Sequence, residues 1–246
     1  MKRFLALILT VLVLASTAII PAKADGMPFT DVYTNNPFYD DIQFMYELGL
    51  MNGTSATTFS PYKTYTRSMF VTMLGRLDTL NGGMDPNDYM GTSFSDVPSG
   101  RWDTPYVQWA AENGIVNGVG NGRFNPTGAI TVEQYATILH RYLDACDWNI
   151  SVTVKHGNWP PTIDDLSKAS SYARSSLSDM LYWGFIPSYY YSESSRTSVD
   201  IHPKDQATRG WIASGFSSVV YAMYLDDGFH WYREKPSYYE GTTVAS

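Results

Sequence analysis

One cysteine, Cys146, stands in 246 residues. That excludes an intrachain disulfide framework and any multi-cysteine metal site. Charged residues make up 17%, below the usual quarter, and acids outnumber bases 24 to 17. A nucleic-acid binder needs the opposite balance. Past the first 20 residues no stretch approaches the roughly 18 apolar residues of a membrane span. The four histidines, at 140, 156, 202 and 230, show no ligand spacing. There is no G-x-S-x-G, no H-E-x-x-H and no P-loop. The acidic pairs Asp40-Asp41, Asp164-Asp165 and Asp226-Asp227 are sequence neighbours that point apart on most backbones. They do not form the facing carboxyl pair that glycoside hydrolysis needs. Met84 to Asp88 is acidic but lacks the calcium-loop pattern. The sequence therefore predicts no enzyme, no cofactor and no metal site.

What is present is apolar and aromatic. Hydrophobic residues reach 44%, enough for a real core in one or two domains. Aromatics reach 15%, with 19 Tyr and 7 Trp, a richness common at carbohydrate and protein surfaces. Residues 1–24 read as a secretory signal peptide: Lys2-Arg3, an apolar run from Phe4 to Ile20, Pro21, then Ala22-Lys23-Ala24 before Asp25. The mature chain is expected to be exported, with no membrane span after cleavage. No L-P-x-T-G sorting signal and no lipobox cysteine near residue 24 is present, so wall association would be non-covalent.

The rest is a repeat. Phe29-Thr30-Asp31-Val32 recurs as Phe94-Ser95-Asp96-Val97. Gly49-Leu50-Met51-Asn52-Gly53 recurs as Gly114-Ile115-Val116-Asn117-Gly118, Phe59-Ser60-Pro61 as Phe124-Asn125-Pro126, and Tyr65-Thr66 as Ile130-Thr131. Every offset is 65 residues. A degraded third copy carries Ile163-Asp164-Asp165-Leu166, Gly184-Phe185-Ile186, Ile201-His202-Pro203 and Ala207-Thr208-Arg209, with an insertion at Ser188 to Ser195. The expected organisation is repeat 1 over 25–80, a linker over 81–93, repeat 2 over 94–146, a linker over 147–162, repeat 3 over 163–225 and an aromatic-rich tail over 226–246.

Each copy reads as helix, loop, helix. Tyr106, Val107, Trp109 and Ala110 give helical spacing within 102–113, and Gly114 fits the left-handed position after a helix end. Thr131 with Gln134 forms a capping box at the start of a second helix. Tyr135, Ile138, Leu139 and Tyr142 then fall on one face, as do Phe70, Met73, Leu74 and Leu77, and Ile212, Phe216, Val219 and Met223. Three amphipathic helices that cannot bury their faces alone predict an all-α fold around a shared three-helix core. Cys146 fits a small buried hydrophobe.

The combination F-x-D-V, G-[LI]-x-x-G, F-x-P and a second helix opening with Thr-Arg resembles the S-layer homology domain. The resemblance covers about residues 27–225. It implies a pseudo-threefold, three-pronged spindle of helix–loop–helix repeats around a central three-helix bundle. It also implies non-covalent anchoring to a bacterial cell wall or S-layer through a secondary cell-wall polysaccharide, often bearing a pyruvate ketal, bound in grooves between repeats. The residues after the third copy have no room for another domain, so the expectation is either a bare wall-binding module or an adaptor whose partner is a separate envelope protein chain. The alternative is a structural or protein-interaction module that keeps the fold and has lost the sugar.

The groove chemistry can be argued from the residues. A helix start presents free amides and partial positive charge, a ready anion site. Arg67 and Arg209 stand at the first helical positions beside the caps Thr66 and Thr208, where a guanidinium fork can grip a carboxylate. Read as surface residues, the arginines would matter to binding and hardly to stability. In copy two Val132 replaces the arginine, so that groove is expected to lack its cation. Asp31, Asp96 and Asp165 align at the start of each copy, as groove-orienting residues or as turn and cap aspartates. Trp102 is either a sugar-stacking platform or a half-buried aromatic at a helix start; Pro37 matches it in copy one.

Overall fold

A computed structural model describes residues 26–146, 162–187 and 198–224. The leader, the insertion Ser188 to Ser195, residues 147–161 of the second linker and the tail lie outside them. Six α-helices are described: α1 (Tyr39–Glu47), α2 (Arg67–Leu80), α3 (Thr104–Glu112), α4 (Val132–Ala145), α5 (Arg174–Tyr182) and α6 (Arg209–Tyr224). Short 3-10 turns at Pro86–Asp88, Leu166–Lys168 and Ser171–Ala173 accompany them. One parallel pair, β1 (Thr162–Ile163) and β2 (Ser198–Val199), joins Thr162 to Ser198 in register.

The local signals set these boundaries. Gly49, Gly114 and Gly184 follow the three short helices with φ of +71°, +69° and +75°. Residues one further on then bond back across the turn, Leu50 N to Met45 O, Ile115 N to Ala110 O and Phe185 N to Met180 O. The expected capping box is formed: Thr131 accepts from Gln134 N, and the Gln134 side chain accepts from Thr131 N. Helix α3 begins two residues after Trp102, which therefore stays outside it, 55% exposed.

The short helix of each copy packs mainly on the long helix of another copy. Helix α3 lies against α2, α5 against α4, and α1 against α6. Each short helix thus covers the long helix of the preceding copy, and the first covers the last, which closes a ring. The long helices meet at its centre. Phe70 of α2 lies 5.1 Å from Tyr135 of α4 and 6.1 Å from Phe216 of α6, and Tyr135 lies 4.9 Å from Trp211, measured between ring centroids. Leu74, Leu77, Leu139, Ile212 and Val219 are fully buried around them. Each such side chain contributes about 1.5–3 kcal/mol of burial, so the predicted apolar faces do meet in one shared core.

The segments before the long helices close a second ring. Tyr65 N donates to Ala207 O, Ala207 N to Ile130 O, and Ile130 N to Tyr65 O, each at 2.9 Å. Three copies thereby satisfy each other's extended backbone in a cycle.

Candidate functional site

Three inter-repeat junctions are built from the same parts. The aspartate at the start of each copy holds its own F-x-P loop. Asp31 accepts from Phe59 N and Ser60 N at 2.8 and 2.7 Å. Asp96 accepts from Phe124 N and Asn125 N, both at 2.8 Å. Asp165 accepts from Ile201 N and His202 N, both at 2.9 Å. The loop residue held this way is left-handed in all three copies: Ser60 at +60°, Asn125 at +61° and His202 at +49°. The degraded third copy therefore keeps the geometry where its sequence has drifted. These aspartates are loop clamps and not helix caps.

Each loop then receives the helix start of the preceding copy. Arg67 N donates to Gly128 O, Val132 N to Asp205 O and Arg209 N to Lys63 O. Ser68 N donates to Pro126 O, Glu133 N to Pro203 O and Gly210 N to Pro61 O. The third amides go to the caps: Met69 N to Thr66 Oγ1 at 3.2 Å, Gln134 N to Thr131 Oγ1 at 3.4 Å and Trp211 N to Thr208 Oγ1 at 3.3 Å. Thr66 and Thr208 act as the caps expected of them. The expectation of free amides for an anion is corrected, because backbone carbonyls and threonine hydroxyls already occupy the first three.

The arginines are corrected in the same way. Arg67 and Arg209 are each only 5% exposed. Arg67 Nε donates to Phe124 O at 3.0 Å and Nη2 to Asn117 O at 3.3 Å, with the guanidinium 4.7 Å over the Phe124 ring. Arg209 repeats this on copy one, Nε to Phe59 O at 2.7 Å and Nη2 to Asn52 O at 2.5 Å, 4.3 Å over Phe59. Burial pushes both guanidinium groups below their usual pKa; Tyr172 and Asp96 oppose this at Arg67, Tyr65 and Asp31 at Arg209. Tyr65, buried 5.6 Å from Arg209, has its own pKa pushed up to about 12 and stays neutral. Both arginines clamp one copy to the next. Nη1 of each makes no hydrogen bond to the described residues.

The junction at the start of α4 differs from the other two. Glu133, 5% exposed, accepts Ser170 N at 2.8 Å, Ser170 Oγ at 3.1 Å, Tyr172 Oη at 3.3 Å and Lys204 Nζ at 2.7 Å. Burial alone would raise its pKa; Lys204 and Ser170 outweigh that and hold it below the usual carboxylate value. Lys204 Nζ also donates to Ser170 Oγ at 2.6 Å while its side chain stays 52% exposed. The Tyr172 ring is 54% exposed, tethered through its hydroxyl, and near enough to Arg67 to favour that charge. Tyr172 stands two residues before α5, as Trp102 stands two before α3. Beside Trp102, Arg101 Nε and Nη2 grip the buried Asp103, each at 2.8 Å. The expectation that this groove lacks a cation is corrected: Lys204 supplies one from the opposite wall. Sequence reasoning missed Glu133, Tyr172 and Lys204. A signal for Tyr172 existed, an aromatic at the Trp102 position, but copy three is offset there by 70 residues instead of 65.

Among the described residues no group of three or more His, Cys, Asp or Glu is placed to hold a metal ion, and no helix is long and apolar enough to cross a membrane. The S-layer homology domain family model matches residues 28–68 and 93–136, the first two copies. An endoglucanase of Bacillus sp. (strain KSM-635) is 29% identical over 216 residues, 87% of this chain and 21% of the relative. S-layer protein sap of Bacillus anthracis is 32% identical over 119 residues, 48% of this chain and 14% of the relative. The surface-layer 125 kDa protein of Lysinibacillus sphaericus is 30% identical over 136 residues, 53% of this chain and 11% of the relative. The chain spans about a fifth or less of these relatives' length. Its first two copies are recognised as S-layer homology domains, at residues 28–68 and 93–136. These domains and the surface-layer relatives support a secreted, cell-wall or S-layer location, and the S-layer homology domain is itself a non-catalytic anchoring module.

Proposed function

We propose that the chain anchors non-covalently to the wall by binding an anionic, pyruvylated secondary cell-wall polysaccharide in the groove at the start of α4. The cyclic pairing of helices supports the three-pronged spindle in which such grooves lie between repeats. One observation carries the reading: an exposed tyrosine ring is tethered by a buried carboxylate beside a half-exposed lysine. A tethered aromatic offers contact area to a sugar face at little entropic cost. Lys204 supplies a donor for a carboxylate. The Trp102 junction and the Arg209 junction are secondary sites on this reading.

The second reading, a structural or protein-interaction module, is favoured by the occupied helix-start amides and the buried arginines. A pull-down on purified sacculi, with and without the secondary polymer stripped, separates the two. The first reading expects retention that is lost on stripping and is reduced about tenfold or more by Tyr172→Ala, as removal of a base-stacking aromatic does at about 1–3 kcal/mol. Equal retention on stripped sacculi would favour the second.

A further inference from the structure

Glu133 has no counterpart in the other two junctions. The matching second positions of the long helices are Ser68 in copy one and Gly210 in copy three. Both of those helix starts are still seated on a neighbouring loop, Ser68 N on Pro126 O and Gly210 N on Pro61 O, as Glu133 N is on Pro203 O. The backbone joint is therefore closed twice without a carboxylate. Burying a charge is costly unless it is paired, and a buried ion pair is itself weak evidence for stability. What Glu133 adds is a hold on two side chains that reach the surface. Its Oε1 accepts from Tyr172 Oη at 3.3 Å and from Lys204 Nζ at 2.7 Å, so phenol and ammonium converge on one oxygen. Its Oε2 accepts from Ser170 N at 2.8 Å, which pins the backbone two residues before Tyr172. Lys204 also belongs to this junction alone: Tyr62 and Thr127 stand at its position in copies one and two. An ammonium has three N–H donors. Lys204 commits one to Glu133 and one to Ser170 Oγ, and the third is uncommitted among the described residues.

On the wall-binding reading above, we propose that Glu133 is the positioning residue of the groove at the start of α4. It sets the Tyr172 ring and the Lys204 ammonium at one spacing, so that ring and cation act on a bound polymer as a unit. Glu133 is only 5% exposed and acts through those two side chains. The proposal fixes the sign of a test. Removing the carboxylate frees Lys204 from its counter-charge. If charge alone held the polymer, binding would rise; if position holds it, binding falls.

The mature chain is titrated onto purified sacculi that carry the secondary polymer. Glu133→Gln offers one acceptor oxygen where the carboxylate offers two. It should weaken retention about tenfold, the cost of ordering two long side chains again on binding. Tyr172→Phe keeps the ring, deletes only its tether, and should weaken retention about threefold. In the Glu133→Gln background Tyr172→Phe should change nothing further, because the tether is already gone. Retention of Glu133→Gln at or above the parent overturns the proposal, and so does an equal cost of Tyr172→Phe in both backgrounds. If Glu133→Gln proves unfolded by thermal melting, Tyr172→Phe retained as well as the parent overturns it alone. A parent retained on sacculi, weakened by Tyr172→Ala and indifferent to Glu133→Gln leaves wall binding standing and removes the positioning role. If the parent is not retained at all, wall binding fails and positioning is read without ligand. NMR relaxation of the Tyr172 ring, assigned by Tyr172→Phe, should then show an ordered ring in the parent and a mobile one in Glu133→Gln. Equal mobility in the two chains overturns the proposal.

Discussion

Replacing Arg67 by alanine tests how the ring of repeats is held. In the folded chain this side chain is nearly sealed from solvent and spans from copy one to copy two. The Nε bond to Phe124 O is short and buried, and a bond from a charged donor contributes about 1.5–3 kcal/mol. The longer bond to Asn117 O adds about 1 kcal/mol on the same scale. The stack on Phe124 adds about 0.5–1 kcal/mol. Freeing a long side chain returns about 1.5 kcal/mol of rotamer entropy to the ledger. The expected net loss is about 3 kcal/mol, and Phe124 O is left buried with one partner fewer. For a chain of this size that lowers the thermal midpoint by roughly 6–12 °C. Arg123→Ala is the control: that arginine is 61% exposed, pairs with Asp96 at 3.5 Å and should cost less than about 1 kcal/mol. Differential scanning calorimetry and urea unfolding of the mature chain measure both. An Arg67→Ala midpoint indistinguishable from that of the Arg123→Ala chain would refute the clamp and restore the surface reading of the arginine.

Three smaller predictions accompany it. Thr66→Ala removes the cap on Met69 N and should cost about 1 kcal/mol in urea unfolding. Burial alone would raise the Asp96 carboxyl, yet the Phe124 and Asn125 amides and Arg123 hold it below its usual value. A depressed carboxylate stabilises the fold above its unfolded value of about 3.9 and loses that contribution as pH falls through the folded value. Stability should therefore fall below about pH 4 more steeply in the parent than in Asp96→Asn, read by acid-titrated melting. Tyr172→Ala should lower retention on sacculi while its melting temperature stays within about 2 °C of the parent, since surface changes usually cost under about 0.5 kcal/mol.

Sequence alone reached the parts that are local. Helix caps at Thr66 and Thr131, the left-handed Gly114 and the apolar faces of α2, α4 and α6 depend on neighbours within a few residues, and each was legible as spacing. The pairing of helices was not. A repeat shows what its copies share and is silent on which copy's short helix covers which long one; that choice is made by side chains up to 176 residues apart, as where Ser217 Oγ donates to Asp41 at 2.6 Å. Burial of Arg67 and Arg209 was misread for the same reason. A helix start looks exposed until the loop of another copy is laid across it. In the second groove Val132 drew attention to a lost cation, while Lys204, 71 residues past Glu133, replaced it across the junction.

The glycine that follows Thr208-Arg209 in copy three has a physical cause in that pairing, and it yields a sharp test. Gly210 stands at the second position of α6, where glycine costs about 1 kcal/mol relative to alanine in a helix. A Cβ built there would collide with the Phe38 ring, its Cγ and Cε2 both at 2.8 Å. Phe38, 3% exposed, immediately precedes α1, and α1 is the helix that closes the ring on α6. Phe38 also sits against Tyr62, centroids 6.3 Å apart, so the ring has little room to retreat. The matching residues in the other junctions differ: Ser68 stands where Gly210 does in copy one, and Asp103 stands where Phe38 does in copy two. Gly210→Ala should thus lose about 1–3 kcal/mol through overpacking, against its helical advantage. Phe38→Ala should lose about 3–5 kcal/mol as a buried aromatic deletion. In the double variant the methyl enters space the ring has left, and the alanine should become neutral or favourable by up to about 1 kcal/mol. The two changes should therefore couple by about 1–3 kcal/mol in a double-mutant cycle read by urea unfolding. Additive costs would show that the first and last helices do not meet at this contact, and the ring would be open there.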